Sequence, residues 1–273
     1  MVSDTGGRRI DRVEGRRLFG LDPVAYDSAR PGHAPRVYEI LVERCGLAGG
    51  TRVLEVGPGT GQATRRLLEH GASPLLALEP DPALAAYLDT TLSDRIAVVV
   101  TALEDAELPA DSFDLAVAAS SFHWVEEDRG LAKLFEALRP GGWVALWWTL
   151  FGEPGKPYAF IEATSPLLEN LQASPTHATT PERPPHALDA EARLGALRAA
   201  GFENAEHEVV RWEARWDTRG IRALYGTFSP IARLEEPRKT EILDGVARIA
   251  EDEFGGQVGR TLITSLYTAL KPI

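Results

Sequence analysis

Cysteine is almost absent from this chain of 273 residues, because Cys45 is the only one. A single cysteine excludes an intrachain disulfide and any zinc site built from several thiolates, and it is typical of a protein from a reducing interior. The six histidines are scattered along the chain and show no HExxH or similar spacing. The sequence therefore predicts no metal site.

Long hydrophobic runs are also lacking. The longest apolar stretches, such as residues 143–150, span about eight residues, whereas a helix that crosses a membrane needs about 20. The first residues, MVSDTGGRRIDRVEGRR, are polar and of mixed charge, and they do not resemble a secretory signal. We therefore expect a cytoplasmic protein with no membrane partner.

Positive charge is scarce relative to negative charge. The chain has 29 basic and 40 acidic residues, a formal net charge of −11, and no basic run longer than Arg65-Arg66. Such a field repels the phosphate backbone, so we predict no nucleic-acid partner. The apolar fraction of 44% and the charged fraction of 25% are those of an ordinary globular protein.

Short apolar runs alternate with helical patterns over residues 51–150. The runs RVLEV, PLLALEP, IAVVV, FDLAVAA and WVALWWTL are apolar on both faces, which is typical of buried parallel strands. Residues 62–70, 82–92 and 131–138 have helical spacing between them, and residues 36–45 form an amphipathic helix before the first strand. This alternation predicts a doubly wound α/β sheet with right-handed crossovers.

Residues 151–273 show a different pattern of predicted helices and strands. Residues 151–188 hold seven of the 19 prolines and are either a mobile lid or a linker. A helix is then predicted at 189–200 with Asp189 as N-cap, followed by a strand at 207–216, helices near 218–234 and 237–254, and a last strand in GRTLITSLYTALK. Trp212 and Trp216 share one face of their strand, and they either line an acceptor pocket or pack against a helix.

The first strand runs into a glycine-rich turn, Gly57-Pro58-Gly59-Thr60-Gly61, and then into a helix. This arrangement places backbone N–H groups and a helix N-terminus at the carboxyl end of a strand, where polar or negative ligand groups bind. The spacing is Gly-x-Gly-x-Gly, so it matches neither the dinucleotide fingerprint Gly-x-Gly-x-x-Gly nor the Walker motif. A nicotinamide dehydrogenase is therefore not expected.

An acid follows at the end of the second strand. Glu79 lies 22 residues after Gly57, at the place where doubly wound folds carry the carboxylate that binds both ribose hydroxyls. A carboxylate there also repels a 2′-phosphate. A nucleoside-bearing ligand without that phosphate is predicted.

These motifs together resemble those of a known family. Glu55 with the glycine turn and Glu79, then ALEDAELP (102–109), FDLAVAASSFHWV (113–125) and LRPGGWVALW (138–147), resemble the motifs of class I S-adenosylmethionine-dependent methyltransferases. The branch they resemble contains the ubiquinone-biosynthesis and trans-aconitate methyltransferases. FGLDPVAYDSARPGHAP resembles the N-terminal cap of that branch.

The resemblance implies a Rossmann-like sheet of seven strands, mostly parallel, with an antiparallel last strand and helical additions at both ends. It implies a helical cap at 1–50, a cofactor-binding core at 51–150, and acceptor-pocket helices with the last strands of the same sheet at 151–273. The cofactor implied is S-adenosyl-L-methionine, and the product is S-adenosyl-L-homocysteine.

The resemblance also implies roles for individual residues. Gly57, Pro58, Gly59 and Gly61 would hold the methionine part of the cofactor, while Glu55 would orient the turn and accept from the amino group of the ligand. The other cofactor-binding residues implied are Glu79 for the ribose, Pro80, Ala102, Leu103 and Glu104 for the adenine, Ala119 and Ser120 at the end of the fourth strand, and Tyr26 and Arg30 closing over the cofactor. Glu104 lies in a run of acids, so a merely solvated side chain is the alternative there.

His123 is the candidate catalytic residue, because it directly follows the fourth strand at the edge of the sheet where ligands bind. Its alternative role is to cap the following helix or to form a hydrogen bond with the backbone there. Methyl transfer from a sulfonium needs alignment and exclusion of water more than a catalytic triad, and no triad is visible.

The expected function is in-line methyl transfer to a small molecule, such as a natural product or a carboxylate- or hydroxyl-bearing compound. The place where base-amine methyltransferases carry Asn/Asp-Pro-Pro-aromatic reads Ser-Ser-Phe-His here. Two alternatives stay open: an enzyme that keeps the fold but catalyses another reaction such as a cyclisation, and a non-catalytic protein that binds the cofactor.

Overall fold

A seven-stranded sheet carries the fold in the computed structural model, which describes residues 22–92, 94–169, 171 and 184–273. The strand order is β3-β2-β1-β4-β5-β7-β6. The strands are β1 (Thr51–Val56), β2 (Ala72–Leu78), β3 (Ala97–Val99), β4 (Phe113–Ala119), β5 (Leu138–Leu150), β6 (Glu203–Asp217) and β7 (Gln257–Leu270).

Strands β1 to β5 run parallel, whereas β7 is antiparallel to both of its neighbours, β5 and β6. The predicted seven-stranded Rossmann-like sheet with an antiparallel last strand is therefore confirmed. Because β1 to β5 are parallel, their carboxyl ends meet at one edge, and the order reverses between β1 and β4. Ligands of open α/β sheets bind at such a reversal.

Helices cover both faces of the sheet. The helices are α1 (Pro23–Ala29), α2 (Pro35–Glu43), α3 (Gln62–Glu69), α4 (Pro82–Leu92), α5 (Glu127–Ala137), α6 (Ala159–Leu168), α7 (Ala190–Ala199), α8 (Thr218–Gly226), α9 (Ser229–Ala232) and α10 (Arg238–Phe254). Helices α2 and α3 pack on one face of the sheet, and α5 and α7 pack on the other. None of the helices among the described residues has the length and apolar character to cross a membrane.

A third apolar cluster lies beside the sheet. Helices α6, α8 and α10 pack on one another around side chains such as Phe160, Leu224 and Val246, all nearly excluded from solvent. This small helical layer follows β5 and β6 in the chain, so it stands next to the carboxyl ends of the parallel strands. Residues 170 and 172–183 of the predicted lid or linker lie outside the described residues.

Several boundaries differ from the sequence prediction. Strand β5 begins at Leu138 rather than at 143, and its first residues are irregular, since Gly141 has a left-handed φ of +75° and the register with β4 shifts there. Helix α5 begins at Glu127 rather than at 131, and two helices, α8 and α9, replace the single one near 218–234. Asp189 caps α7 as predicted, since its Oδ1 accepts from the N–H of Ala192 at 3.2 Å.

Candidate functional site

The turn after β1 is built from left-handed backbone. Gly57, Gly59 and Gly61 have φ values of +63°, +61° and +83°, which side chains disfavour. A Cβ on Gly57 would lie 2.6 Å from the Cβ of Ser121, and one on Gly61 would lie 2.8 Å from Leu88. A Cβ on Gly59 would meet no atom within 4 Å. Packing therefore requires glycine at two of these positions, whereas Gly59 faces open space.

Glu79 ties the turn to the end of β2. One of its oxygens accepts from the N–H of Gly59 at 3.0 Å, and the other accepts from the N–H of Asp81 at 3.0 Å. The residue is 3% exposed, yet it forms part of the cavity wall. A carboxylate offers about four acceptor sites, so these two bonds fix its orientation and leave capacity for a ligand.

A cavity opens at the carboxyl ends of the parallel strands, between the glycine turn and the N-terminal cap. Its wall includes every predicted site residue except Glu55, Gly61 and His123. One half lies over the ends of β2 and β3 and is bounded by Glu79, Pro80, Leu84, Ala102, Leu103 and Glu104; we call it the nucleoside half. The other half, called here the β4–β5 half, is bounded by Tyr26, Arg30, His33, Ser120, Ser121, Trp124, Thr149 and Phe151.

Glu104 has a defined position in the nucleoside half rather than a merely solvated one. Its Oε1 accepts from the N–H of Glu126 at 3.0 Å, at the start of α5. Its main-chain carbonyl accepts from Arg129 and Lys133 of the same helix. Helix α5 therefore holds the short turn that begins at Leu103 against the cavity.

Glu55 lies beneath the glycine turn and is fully buried. Neither carboxylate oxygen has a hydrogen-bond partner of normal geometry among the described residues. Burial raises the pKa of Glu55 to about 7; the nearby Thr64 hydroxyl and Arg65 oppose this shift, and the charge of Glu79 adds to it. An unpaired buried carboxylate is costly when it ionises, so this group is sensitive to any positive charge brought near the turn.

The N-terminal cap is tied to the helices that follow the turn. The amide of Gln62 donates to the carbonyls of Asp27 and Arg30, and the Asp27 carboxylate pairs with Arg65 at 2.6 Å. The hydroxyl of Tyr87 also donates to Asp27 at 3.2 Å. These contacts hold α1 over the mouth of the cavity.

Arg30 joins the cap to the helical layer. Its guanidinium donates to the hydroxyl and the carbonyl of Thr227 at 2.7 and 3.1 Å. It also lies 5.1–5.2 Å from the ring centroids of Tyr26, Phe151 and Phe228, within the range of cation–π attraction. The side chain thus has protein contacts on several sides while it still forms part of the cavity wall.

The predicted catalytic residue, His123, lies next to the cavity but outside its wall. Its Nδ1 accepts from the indole N–H of Trp148 at 3.1 Å, and its ring packs on Trp124. An Nδ1 that accepts a hydrogen bond places the proton of the neutral ring on Nε2. In this tautomer Nε2 is the hydrogen-bond donor. The catalytic role of His123 stays a prediction.

Sequence reasoning missed several residues of the β4–β5 half, including His33, Ser121, Thr149 and Phe151. Ser121 anchors the end of β4, since its hydroxyl donates to the carbonyl of Val56 in β1. Ser120 has a positive φ of 55° while its N–H donates to Trp147 in β5. Strained non-glycine backbone of this kind clusters at ligand sites, but no sequence pattern marks it in advance.

The residues present fit the cofactor that the resemblance implies. Gly59 offers space where a side chain would intrude, and Glu79 offers an oriented carboxylate at the end of β2. Leu103 and Pro80 give apolar surface in the nucleoside half. Among the described residues, no group of three or more His, Cys, Asp or Glu side chains is placed to hold a metal ion.

Comparison with known proteins agrees with the resemblance to methyltransferases. Residues 54–146 match a family model described as a methyltransferase domain. An uncharacterized methyltransferase of Mycobacterium tuberculosis is 35% identical over 130 residues, or 48% of this chain and 51% of that protein. The trans-aconitate 2-methyltransferase of the same species is 32% identical over 46% of this chain and 47% of that protein. The chain thus spans about half the length of these curated relatives.

An uncharacterized methyltransferase of Schizosaccharomyces pombe is similar along nearly the whole chain. It is 24% identical over 259 residues, which cover 93% of this chain and 97% of that protein. The similarity therefore extends beyond the cofactor core into the cap and the helical layer.

Solved structures share the fold at lower identity. A putative type II methyltransferase from Anaeromyxobacter dehalogenans has a TM-score of 0.60 at 22% identity over 89% of this chain and 98% of that one. The [4+2]-cyclase SpnF has a TM-score of 0.58 at 20% identity over 98% and 100%. Phosphoethanolamine N-methyltransferase 2 of Haemonchus contortus, solved with S-adenosyl-L-methionine, has a TM-score of 0.55 at 16% identity over 94% and 60%.

The match to the family model covers the glycine turn, Glu79 and the strands β2, β3 and β4. The match of residues 54–146 to a methyltransferase domain thus agrees with the class I S-adenosylmethionine-dependent methyltransferase family that the sequence motifs resemble.

Proposed function

We propose that the chain binds S-adenosyl-L-methionine and methylates a small molecule in the β4–β5 half of the cavity. The observation that carries the proposal is the pairing of an open glycine turn with the oriented carboxylate of Glu79 at the same cavity. When bound, the cofactor supplies a methyl carbon activated by a sulfonium sulfur. The protein then has to bind the cofactor and the acceptor, align them and exclude water. This is a task of proximity and orientation.

The residues divide this task between the two halves of the cavity. Glu79 binds the ribose hydroxyls, Leu103 and Glu104 bound the adenine, and the amides of the turn hold the methionine part. Tyr26 and Arg30 close the mouth from the cap. We keep the division into a cap (1–50), a cofactor core (51–150) and a helical layer with the last strands (151–273) as part of this proposal.

A small acceptor is favoured over a nucleic acid because the net charge of −11 repels phosphate backbones. The relative that is named a trans-aconitate 2-methyltransferase makes carboxylic acids the first class to test. A cytoplasmic location stays a prediction from composition.

The function is tested with cofactor that carries a labelled methyl group. The protein is incubated with a panel that starts with trans-aconitate and continues with other carboxylic acids, phenols and amines. Label in an extracted product and an equal amount of S-adenosyl-L-homocysteine are expected. Binding of the cofactor without transfer to any acceptor would favour the cyclase or non-catalytic alternatives, since the fold is shared with a cyclase.

Substitution of Gly59 tests whether the glycine turn binds the cofactor. Gly59→Ala should weaken binding of S-adenosyl-L-homocysteine at least about tenfold, because the added methyl enters the space that the ligand needs. Calorimetry measures this affinity. Gly50→Ala is the matched control, since Gly50 also has a positive φ of +88° and open space around it but lies outside the cavity wall. Equal affinities in the two variants would show that backbone strain alone is being measured.

Substitution of Glu79 tests the ribose contact. Glu79→Gln keeps the size of the side chain but removes its charge, and it should weaken the affinity for S-adenosyl-L-homocysteine by about 1.5–3 kcal/mol, the scale of a hydrogen bond to a charged group. In Glu79→Ala the backbone N–H groups of Gly59 and Asp81 also lose their acceptor. The melting temperature of this variant should therefore fall below that of the wild type. The exposed acid Glu107 provides the control, and Glu107→Gln should bind as the wild type does.

Substitution of Glu55 tests the buried carboxylate. Its pKa lies at about 7 in the fold against 4.5 in the unfolded chain, so the folded state binds more protons between these values. The free energy of unfolding should therefore fall as pH rises from about 4.5 through 7. Glu55→Gln removes this dependence, and its stability relative to wild type should rise by on the order of 2 kcal/mol between pH 5 and pH 8 in urea titrations. A difference that does not change with pH would contradict the assignment.

Substitution of His123 tests the predicted catalytic role. His123→Ala should lower turnover with an acceptor found in the panel while leaving the affinity for S-adenosyl-L-homocysteine nearly unchanged. Trp148→Phe keeps an aromatic ring at this place but removes the donor to Nδ1, so it should alter the pH profile of turnover if His123 takes part. Equal turnover in His123→Ala and wild type would leave His123 a structural residue.

A further inference from the structure

The β4–β5 half of the cavity carries a positive charge and no negative one. Both carboxylates in the cavity wall, Glu79 and Glu104, belong to the nucleoside half. Among the described residues of the β4–β5 half, the side chain with a permanent charge is that of Arg30. The wall of this half therefore favours a ligand group of negative charge.

Arg30 is half-buried and lacks an ionic partner. Its guanidinium donates to Thr227 and packs against three aromatic rings, but no carboxylate among the described residues pairs with it. The chain has 40 acidic residues against 29 basic ones, so this lack does not follow from composition. Charges withdrawn from water are normally paired, and a ligand of opposite charge can supply the missing partner.

The guanidinium lies on the cavity side of the cap. Arg30 borders two spaces, the cavity and a groove outside it between α1 and the start of α8. The central carbon of the guanidinium lies 5.2 Å from the ring centroid of Tyr26 and 5.1 Å from that of Phe151. Both rings belong to the cavity wall, and neither borders the groove. The charged group is thus held beside the cavity by two of its wall residues.

The two hydrogen bonds to Thr227 leave one edge of this guanidinium free. They use Nε and Nη2. Nη1 has no hydrogen-bond partner among the described residues, and it is not one of the buried polar atoms without a partner, so it keeps accessible surface. Arginine has five N–H donors in a fixed fork. Nη1 and the second N–H of Nη2 therefore form an edge that matches the two oxygens of a carboxylate.

A second cation lies behind the same aromatic ring. The guanidinium carbon of Arg260, in β7, lies 6.0 Å from the centroid of Phe151, and its Nη2 donates to the carbonyl of Phe151. Arg260 is 5% exposed and has no acidic partner among the described residues. It is not part of the cavity wall, but at short range in the protein interior its charge adds to the positive potential there.

We propose that the methyl acceptor is an anion, and that the free edge of the Arg30 guanidinium binds its carboxylate in the β4–β5 half of the cavity. This inference rests on the proposed function and gives it a substrate class, a carboxylic acid in its ionised form. The carboxylate accepts from Nη1 and Nη2 and supplies the negative charge that Arg30 and Arg260 lack. A cationic amine is disfavoured, since it would bring a third positive charge close to Phe151.

The experiment uses the whole chain saturated with S-adenosyl-L-homocysteine. Benzoate, benzamide and benzylamine are titrated at pH 7, because they share one ring and carry a negative, zero and positive charge. Saturation-transfer NMR measures their affinities. Benzoate should bind at least about tenfold more tightly than benzamide, the effect of hydrogen bonds to a charged group, and benzylamine should bind most weakly.

Variants then separate the charge of Arg30 from its packing. Arg30→Gln should weaken benzoate binding about tenfold or more and leave benzamide binding nearly unchanged. Because the preference for the anion is a ratio of two affinities, a general loosening of the cap does not imitate its loss. Arg30→Lys keeps the charge without the fork, so it should recover part of the preference.

Arg222→Gln is the matched control for these variants. Arg222 pairs with Asp244 in the helical layer and lies outside the cavity wall. The variant removes an arginine charge near the same layer without touching the cavity. It should bind all three compounds as the wild type does.

A second pair of ligands distinguishes the acceptor from the cofactor, whose amino-acid part also carries a carboxylate. 5′-Methylthioadenosine has the nucleoside and the sulfur but lacks that part. Arg30→Gln should change the affinities for S-adenosyl-L-homocysteine and for 5′-methylthioadenosine by the same small factor. A loss confined to S-adenosyl-L-homocysteine would assign the guanidinium to the cofactor and overturn the proposal.

The outcomes keep this inference apart from the proposed function. If S-adenosyl-L-homocysteine fails to bind the wild type, the proposed function is wrong. If it binds but benzoate has no advantage over benzamide, or keeps its full advantage in Arg30→Gln, the role of Arg30 is overturned while cofactor binding stands.

Discussion

The hydrogen bond between the N–H of Gly59 and the carboxylate of Glu79 is the constraint on which the site depends. It joins the turn after β1 to the end of β2, so that the backbone that would hold one end of the ligand and the acid that would hold its ribose form one unit. The turn can reach this position only because Gly57 and Gly61 leave room for Ser121 and Leu88. The glycines therefore serve packing at two positions and ligand space at the third.

A second tie closes the cavity from the opposite side. Arg30 connects the cap to Thr227 of the helical layer and is surrounded by three aromatic rings. Gln62, at the start of α3, binds the carbonyls of the same cap segment. The cap is thus fixed both to the helix that follows the glycine turn and to the helical layer that follows β5 and β6 in the chain. A change in either contact would alter the mouth of the cavity.

Much of this fold could be predicted because the signals are local. Buried parallel strands appear as short apolar runs, and the glycine turn together with Glu79 is a pattern in the sequence that reports a backbone geometry. The β4–β5 half could not be predicted in the same way. His33, Thr149 and Phe151 come from three separate segments, and only the closing of the cap over the sheet brings them together. Thr227, the hydrogen-bond partner of Arg30, likewise lies 197 residues away in the chain.

This difference explains why the cofactor is easier to infer than the acceptor. The nucleoside half is built from strand ends of the matched domain, residues 54–146, which the chain shares with relatives of several names. The β4–β5 half takes Arg30 and His33 from the cap and Phe151 from the start of the helical layer, all outside that domain. A [4+2]-cyclase has the same fold at 20% identity. The fold alone therefore does not assign a reaction, and we expect the substrate to be decided by the cap and the helical layer, where sequence patterns are weakest.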